Sequence, residues 1–502
     1  MRRITVFLKN GLLLTFSSFF LRIIGFFFNV YIANKIGAEA VGVFQLVMSV
    51  YLFGSTFALS GIHLACMRLV SEELAYGLEG NIAKVVKKSL LYSVCFGTAA
   101  CLLLIFLAPT LSAYWLHAKI SCWPFYIMAL SLPFTAMSSC FNGYFCAVRR
   151  VGKNAFASFI EQIVQVLVTS FFLQLFLPNS IDFACLSLVL GTTLSEILSF
   201  VINLLLYRQD KKQYQKGSFA PSAFTKRILS ISLPIAMTSY IRSGLSTLKQ
   251  LLIPDRLEKS GLSCKLALEH YGMINGMVMP ILFFPSTFIN SFSNLLIPEF
   301  SFFYSRGETE KMKIIVTKIL KYTFVFSFCV AGIFWCFSEE LSNLIYQNDQ
   351  IPLFLKLLCP LVIFMYVDTI IDSILKGLDK QVGVMLVNIL DLVLSICCIF
   401  FLLPRYGIYG YLFVLFMSEI LNFALSLIQL FRTLSVCFYW KEWIFHPVLA
   451  CISATLFFHL LPAFSSISWI STILQILVFV FFYLFFLFCS GTLTKKDIYF
   501  YR

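Results

Sequence analysis

The chain has 502 residues, of which 60% are hydrophobic and only 12% charged, with a mean hydropathy of +0.88. A soluble domain carries charge on about a quarter of its residues, so this composition excludes one and points to a polytopic membrane protein. The 17% aromatic share suits lipid-facing helices and excludes a disordered or nucleic-acid-binding chain, so the net charge of +14 calls for a topological explanation first.

The opening stretch, residues 1–10, precedes an apolar run with no short secretory core and no A-x-A-like cleavage site, and reads as the start of a retained first helix. Apolar spans follow at 9–33, 42–67, 87–111, 120–147, 156–178, 182–207, 227–253, 268–297, 315–338, 352–378, 382–404, 407–432, 444–463 and 467–490. Each is long enough to cross about 30 Å of hydrocarbon, which predicts an all-α protein with fourteen transmembrane helices. With the N-terminus inside, 28 of the Lys and Arg residues fall on the inner side, 7 outside and 3 within spans. That asymmetry predicts a multi-pass protein of the cytoplasmic membrane with both termini cytoplasmic. Inner clusters such as Lys84, Lys87 and Lys88, or Arg149, Arg150 and Lys153, read as topology determinants rather than a headgroup or partner site.

The sixteen cysteines are scattered, mostly inside spans, and contain no C-x-x-C pair. They read as small buried hydrophobes, not disulfides or metal ligands, and no cofactor is expected beyond coupling to Na+, H+ or the membrane potential.

An internal repeat organises the chain. Ser195-Glu196-Ile197-Leu198-Ser199-Phe200 in the sixth span is nearly copied by Ser418-Glu419-Ile420-Leu421-Asn422-Phe423 in the twelfth. Phe53-Gly54-Ser55-Thr56-Phe57 resembles Phe284-Pro285-Ser286-Thr287-Phe288, and Val151-Gly152 matches Val382-Gly383, which aligns Ser158-x-x-Glu161 with Asn388-x-x-Asp391. Three correspondences in order mark a duplication. The offset covers six helices, an even number, so both copies enter the membrane in the same direction. The expected domains are an N-lobe at 1–207, a cytoplasmic linker at 208–226, a C-lobe at 227–432, and a two-helix appendix with a short tail at 433–502. The lobes would be related by a pseudo-twofold axis along the membrane normal, with a central cavity near mid-depth.

Charges inside the spans are the expensive residues. A guanidinium at the centre of a transmembrane helix costs roughly 2.5–3.5 kcal/mol on insertion scales, so it persists where it meets a water-filled cavity or an anion. Arg22 lies about 20 Å from either end of the first span, beyond the reach of snorkelling. Arg242 occupies the equivalent helix of the second repeat, and Lys249, seven residues on, falls within about 20° of the same face. Ser239, Ser243, Ser246, Gln250, Asn275, Asn290 and Asn294 are candidates to hold a polar headgroup on the same walls, against the alternative that such side chains join helices to one another. His63 is weighed the same way. Asp368 and Asp372 share a helix face and, with Asp391, are candidates for ion coupling; Glu161, Glu196 and Glu419 are further intramembrane acids, the last two repeated and therefore read as structural.

The run from Thr238 to Pro254, with Arg242 and Lys249, followed by Arg256 to Gly261, resembles the seventh-helix signature of the stage V sporulation protein B group of the multidrug/oligosaccharidyl-lipid/polysaccharide exporter superfamily. Arg22 and Gly25 in the opening segment, and Lys35-Ile36-Gly37 before the second helix, extend the resemblance. It implies alternating-access flipping of an undecaprenyl-diphosphate-linked peptidoglycan precursor, lipid II or a related lipid-linked oligosaccharide, for cell wall or spore cortex. In the related peptidoglycan flippases, helices 1, 2, 7 and 8 line a cationic cavity and helices 13 and 14 form a groove for the lipid tail. That role carries over to Arg22, Arg242 and Lys249, whereas the second helix offers His63 and no internal arginine. The implied partners are the lipid-linked substrate, membrane lipids and cell-wall synthases, with no nucleic acid.

Two other readings compete. An ion-coupled multidrug antiporter of the same two-lobed architecture would show buried acids and few bases, and a cavity marked by two or three cations disfavours cationic drugs by like-charge cost. A membrane glycosyltransferase would need catalytic carboxylates on a large outer loop, and the longest outer connection, 254–267, offers only Asp255 and Glu258 among residues placed to act there. The chain is therefore expected not to be an enzyme, and a scaffolding role would leave the mid-span arginines unexplained.

Overall fold

The structure is a computed structural model that describes residues 2–115, 121–176, 181–211, 223–346, 348–460 and 469–493. Side chains before Phe16 and that of Asn294 lie outside the described set, as do residues 212–222 of the expected linker and the tail beyond 493.

Among the described residues the regular structure is helical throughout. The first elements are α1 (Arg2–Leu59), α2 (Ile62–Ala75), α3 (Ile82–Thr110), α4 (Trp123–Ala147), α5 (Val151–Phe176), α6 (Ile181–Lys211), α7 (Phe224–Glu258) and α8 (Cys264–Gly272). After a π-helical turn at Met273–Val278 come α9 (Met279–Phe283), α10 (Ser286–Ser305), α11 (Thr309–Cys336), α12 (Ser338–Ile345), α13 (Ile351–Leu358) and α14 (Leu361–Gly377). The last are α15 (Gln381–Leu434), α16 (His446–Leu460) and α17 (Trp469–Cys489).

Among the described residues a helix lies over each of the fourteen expected spans. Eight are long and apolar enough to cross a bilayer, and two bent pairs, Cys264–Phe283 with Ser286–Ser305 and Ile351–Leu358 with Leu361–Gly377, qualify together. Two of the eight are each double. α1 breaks at Gly37 (φ 78°, ψ 170°) and α15 at Gly407 (φ 56°, ψ −131°), backbone conformations that a side chain disfavours and glycine permits. The breaks fall where the apolar pattern separates spans one and two, and spans eleven and twelve. α7 and α16 lie over the remaining two expected spans, and α16, at 15 described residues, is shorter than the usual transmembrane length. α7 falls outside the apolar class because Arg242, Lys249 and Gln250 interrupt it among many hydroxyl residues.

By backbone contact the chain divides into two compact units, Met1–Gly272 and Met273–Arg502. The division falls inside the eighth span, so α7 packs with the helices that precede it, against α1, α2 and α3.

In the first unit, α4 packs on α2, α3 and α6, and α5 lies along α6. A buried cluster of Ile62, Leu69, Val85, Phe141, Tyr144 and Phe224 ties α2, α3, α4 and the start of α7 together. Small residues set the closest crossings. Gly42 on α1 and Gly272 on α8 meet backbone to backbone, and a Cβ on Gly272 would collide with the Ala38 carbonyl. In the second unit, α14 is the central helix, contacting α10, α11 and α15. The last two helices dock on α11, where Tyr483 Oη donates to the Val325 carbonyl at 2.8 Å and Phe479 packs edge-on to Phe337.

Candidate functional site

α7 presents two faces with different occupations. One side is stitched to residues 49–60, the end of α1 and the residue after it: Tyr240 bonds Ser60, Thr56 Oγ1 lies 3.2 Å from Ser243 Oγ, and Thr247 Oγ1 donates to the Ser49 carbonyl at 2.9 Å. Gly244 lets the Phe53 ring approach, with 3.4 Å available to a Cβ. The other side carries Ser239, Arg242, Ser246 and Lys249, which helical periodicity gathers within about 80°. Arg242 and Ser239 are exposed, and Ser246 and Lys249 half-buried.

Arg22 is also exposed on α1. Beside it, one turn on, Gly25 faces open space: nothing would lie within 4 Å of a Cβ there. Phe16, Ser17, Phe20 and Leu21 line an apolar cavity of about 400 Å³ against Gly152, Ala155, Phe156 and Phe159 of α5. Arg22 lies roughly 170° around the helix from the centre of that apolar face, so the guanidinium and the apolar groove occupy opposite sides of α1.

The electrostatic contrast with other cations is direct. Arg227 pairs with Glu72 and, at 3.2 Å, with Glu73; Arg150 and Lys153 converge on the buried carboxylate of Asp210; Lys376 lies 3.6 Å from Asp372. All of these sit near helix ends. Arg22 and Arg242, in mid-span, have no carboxylate or hydrogen-bond partner among the described residues. A desolvated guanidinium without a counter-charge is costly, and its planar fork matches phosphate oxygens bidentately.

The remaining sequence candidates separate into those that reach other groups and those that bond locally. Ser243 belongs to the α1 seam rather than to the Arg242 side. Gln250 accepts from Tyr271 at 3.4 Å, which ties it to α8. Asn275 and Tyr411 exchange hydrogen bonds at 2.8 and 3.1 Å inside the second unit. Asn290 turns back on its own helix, donating to the Ser286 carbonyl at 2.9 Å, and Ser239 does the same towards Ile235. His63 bonds the Ser139 backbone, a packing role.

The acids of the second unit form a connected group. Asp368 on α14 is buried and accepts from Asn422 Nδ2 at 3.1 Å, with Ser426 beside it as a further hydroxyl partner. Asp391 is buried and accepts from Ser418 Oγ at 2.7 Å, so two residues of the repeated hexapeptide, Ser418 and Asn422, serve the two aspartates. Asp372 faces Lys376 instead. Sequence reasoning named Glu161 and Glu196 in the first unit but missed their partners: Tyr51 and Thr135 donate to Glu196 at 2.5 and 2.9 Å, and Ser199 bonds Glu161. Its signal was available as Ser131, Thr135, Ser138 and Asn142, a polar row at helical spacing in an otherwise apolar span.

Known proteins can be compared with this geometry. The chain is 23% identical over 412 residues to stage V sporulation protein B of Bacillus subtilis (strain 168), covering 80% of this chain and 79% of that protein. Its fold matches a lipid II flippase MurJ in an inward closed conformation with a TM-score of 0.69 at 16% identity, over 95% of this chain and 98% of that one. It also matches an inward-facing multidrug resistance MATE family transporter of the MOP superfamily with a TM-score of 0.63 at 10% identity, over 82% and 95% of the two chains. These neighbours are named as a flippase and a transporter, not as enzymes, and the shared fold is that of a multi-pass membrane protein. The model of polysaccharide biosynthesis proteins matches residues 7–304, more than half of the sequence, and the chain belongs to that family.

Proposed function

We propose that the protein flips an undecaprenyl-diphosphate-linked peptidoglycan precursor, of the lipid II kind, from the inner to the outer leaflet of the cytoplasmic membrane by alternating access. The observation that carries this reading is the pair of exposed mid-span arginines, Arg22 and Arg242, that lack any carboxylate among the described residues. A diphosphate supplies the missing counter-charge, and Lys249 adds a point charge on the same side of α7. Ser239 and Ser246 flank the anion, while Gln250 and Ser243 hold α7 to its neighbours; Asn275 and Asn290 are tied within the second unit. The apolar prenyl chain stays in lipid while the headgroup crosses. Asp368 and Asp391, with Asp372 at the helix end, are the proposed ion-coupling acids of the second unit. A cell-wall or spore-cortex role and contacts with cell-wall synthases follow from the substrate.

The test is binding of purified protein to lipid II, together with complementation of a flippase-deficient cell, for wild type, Arg22→Ala and Arg242→Ala. Loss of both supports the reading; unchanged binding and growth end it. Transport by Asp368→Asn and Asp391→Asn at varied sodium and pH reads the coupling, and rates equal to wild type throughout remove those acids from it. The fold is shared with a multidrug MATE transporter, so the fold does not separate the two readings; the cation-lined face, which repels cationic drugs, weighs against the antiporter.

A further inference from the structure

The first unit holds a second group of intramembrane acids that no role above uses. Glu161 on α5 and Glu196 on α6 are half-buried, and neither has a cationic partner among the described residues. Glu196 is held by hydroxyls alone, from Tyr51 at 2.5 Å and Thr135 at 2.9 Å, and Tyr51 Oη is itself 2.8 Å from Ser131 Oγ. Glu161 is bonded by Ser199, one turn along α6 from Glu196, and the two carboxylates feel one another's charge. Tyr51 from α1 and Glu161 from α5 are the titratable groups that face Glu196, and α4 turns only hydroxyls towards it.

A second, independent feature leads to this pair. Three helices that pack on one another, α4, α5 and α6, each carry a polar row: Ser131, Thr135, Ser138 and Asn142; Asn154, Ser158 and Glu161; Glu196, Ser199 and Asn203. Each row stays within about 60° of one face. The Thr135–Glu196 and Ser199–Glu161 bonds turn the rows towards each other. Ser138, 8% exposed, and Asn203, 1% exposed, have a buried oxygen with no hydrogen-bond partner, and so do Asn142 and Asn154. A buried, unsatisfied amide or hydroxyl costs about 1–3 kcal/mol, and four along one track mark a path that something polar uses. The three asparagines lie towards the end of the bundle at which α4 turns into α5, beside the Asp210 cluster with Arg150 and Lys153.

We propose that Glu161 and Glu196 form a proton-binding site of the first unit, loaded through this amide and hydroxyl track. Two carboxylates without a cation in a low-dielectric span are relieved by one shared proton. A sodium ion held by the same oxygens is the competing occupant, and the experiment below separates the two. The site stands apart from the lipid-binding reading, because it requires no substrate.

Infrared difference spectroscopy on the full-length protein in lipid nanodiscs, stepped from alkaline to acid pH at fixed sodium, reads the protonated carboxyl directly. The expected result is a carboxyl band in wild type that is missing from the Glu161→Gln, Glu196→Gln double variant. In Asn203→Leu the band keeps its amplitude but rises severalfold more slowly after a pH jump. A double variant that keeps the whole wild-type band, or a band that follows sodium at fixed pH, overturns the proposal. Should the double variant not assemble, Tyr51→Phe removes a donor without altering either acid and must shift the band's midpoint; an unmoved midpoint is equally fatal.

Discussion

Tyr51 on α1 and Glu196 on α6 are joined by a 2.5 Å hydrogen bond across 145 positions of sequence, and Thr135 completes the acid's shell from α4. The bond ties the second span to the sixth. Interhelical bonds of this kind measure about 0.6 kcal/mol on average and up to about 1.7 in membranes. Tyr51→Phe is expected to lower stability by about 1 kcal/mol in detergent unfolding, and a double-mutant cycle with Glu196→Gln should return a coupling energy of similar size. A coupling near zero would mean the bond does not form.

Removing Arg22 or Arg242 should weaken diphosphate-lipid binding without weakening the fold. A hydrogen-bonded charge contributes about 1.5–3 kcal/mol, which is roughly ten- to a hundredfold in Kd. Arg22→Lys and Arg242→Lys should recover part of that loss, since the charge remains while the fork is gone. Thermal unfolding of Arg22→Ala and Arg242→Ala is expected to match wild type, because neither guanidinium has a protein partner among the described residues.

Arg227→Ala should behave in the opposite way. Its guanidinium spans Glu72 and Glu73, and Glu73 is only 3% exposed, with Asn81 as its other partner at 2.9 Å. Leaving that carboxylate unpaired is expected to cost about 1–3 kcal/mol, discounted from a fully buried pair because the arginine is partly solvated. Glu73→Gln in the same chain should restore most of the loss, and binding of lipid by the rescued protein should equal wild type.

Two glycine substitutions separate packing from the space beside Arg22. Gly272→Ala drives a methyl into the Ala38 carbonyl and should lower the yield of folded protein and its unfolding temperature. Gly25→Ala meets nothing within 4 Å, so stability should not change; lipid binding should fall only with larger residues such as Gly25→Leu, which fill the opening next to the guanidinium. Size-exclusion profiles and unfolding temperatures distinguish the two cases.

Much of this protein was legible in the linear chain because membrane insertion is decided locally. Twenty or so apolar residues form a span wherever they occur, two glycines mark the breaks in α1 and α15, and a mid-span arginine is conspicuous by its cost alone. The repeated hexapeptide marked the duplication, but not that its Ser418 and Asn422 would serve Asp391 and Asp368.

The hydrogen-bond partners were decided only in three dimensions. Helical spacing puts Ser243 within reach of the Arg242 side, and the packing of α7 on residues 49–60 spends it on Thr56 instead. Nothing in the sequence links Tyr51 to Glu196, or Asn275 to Tyr411, since which polar groups meet depends on where small residues let two helices cross. Hydrophobic length and charge cost belong to a single segment and can be read from it; the partner of a buried polar group belongs to the crossing of two segments, and only the folded chain settles it.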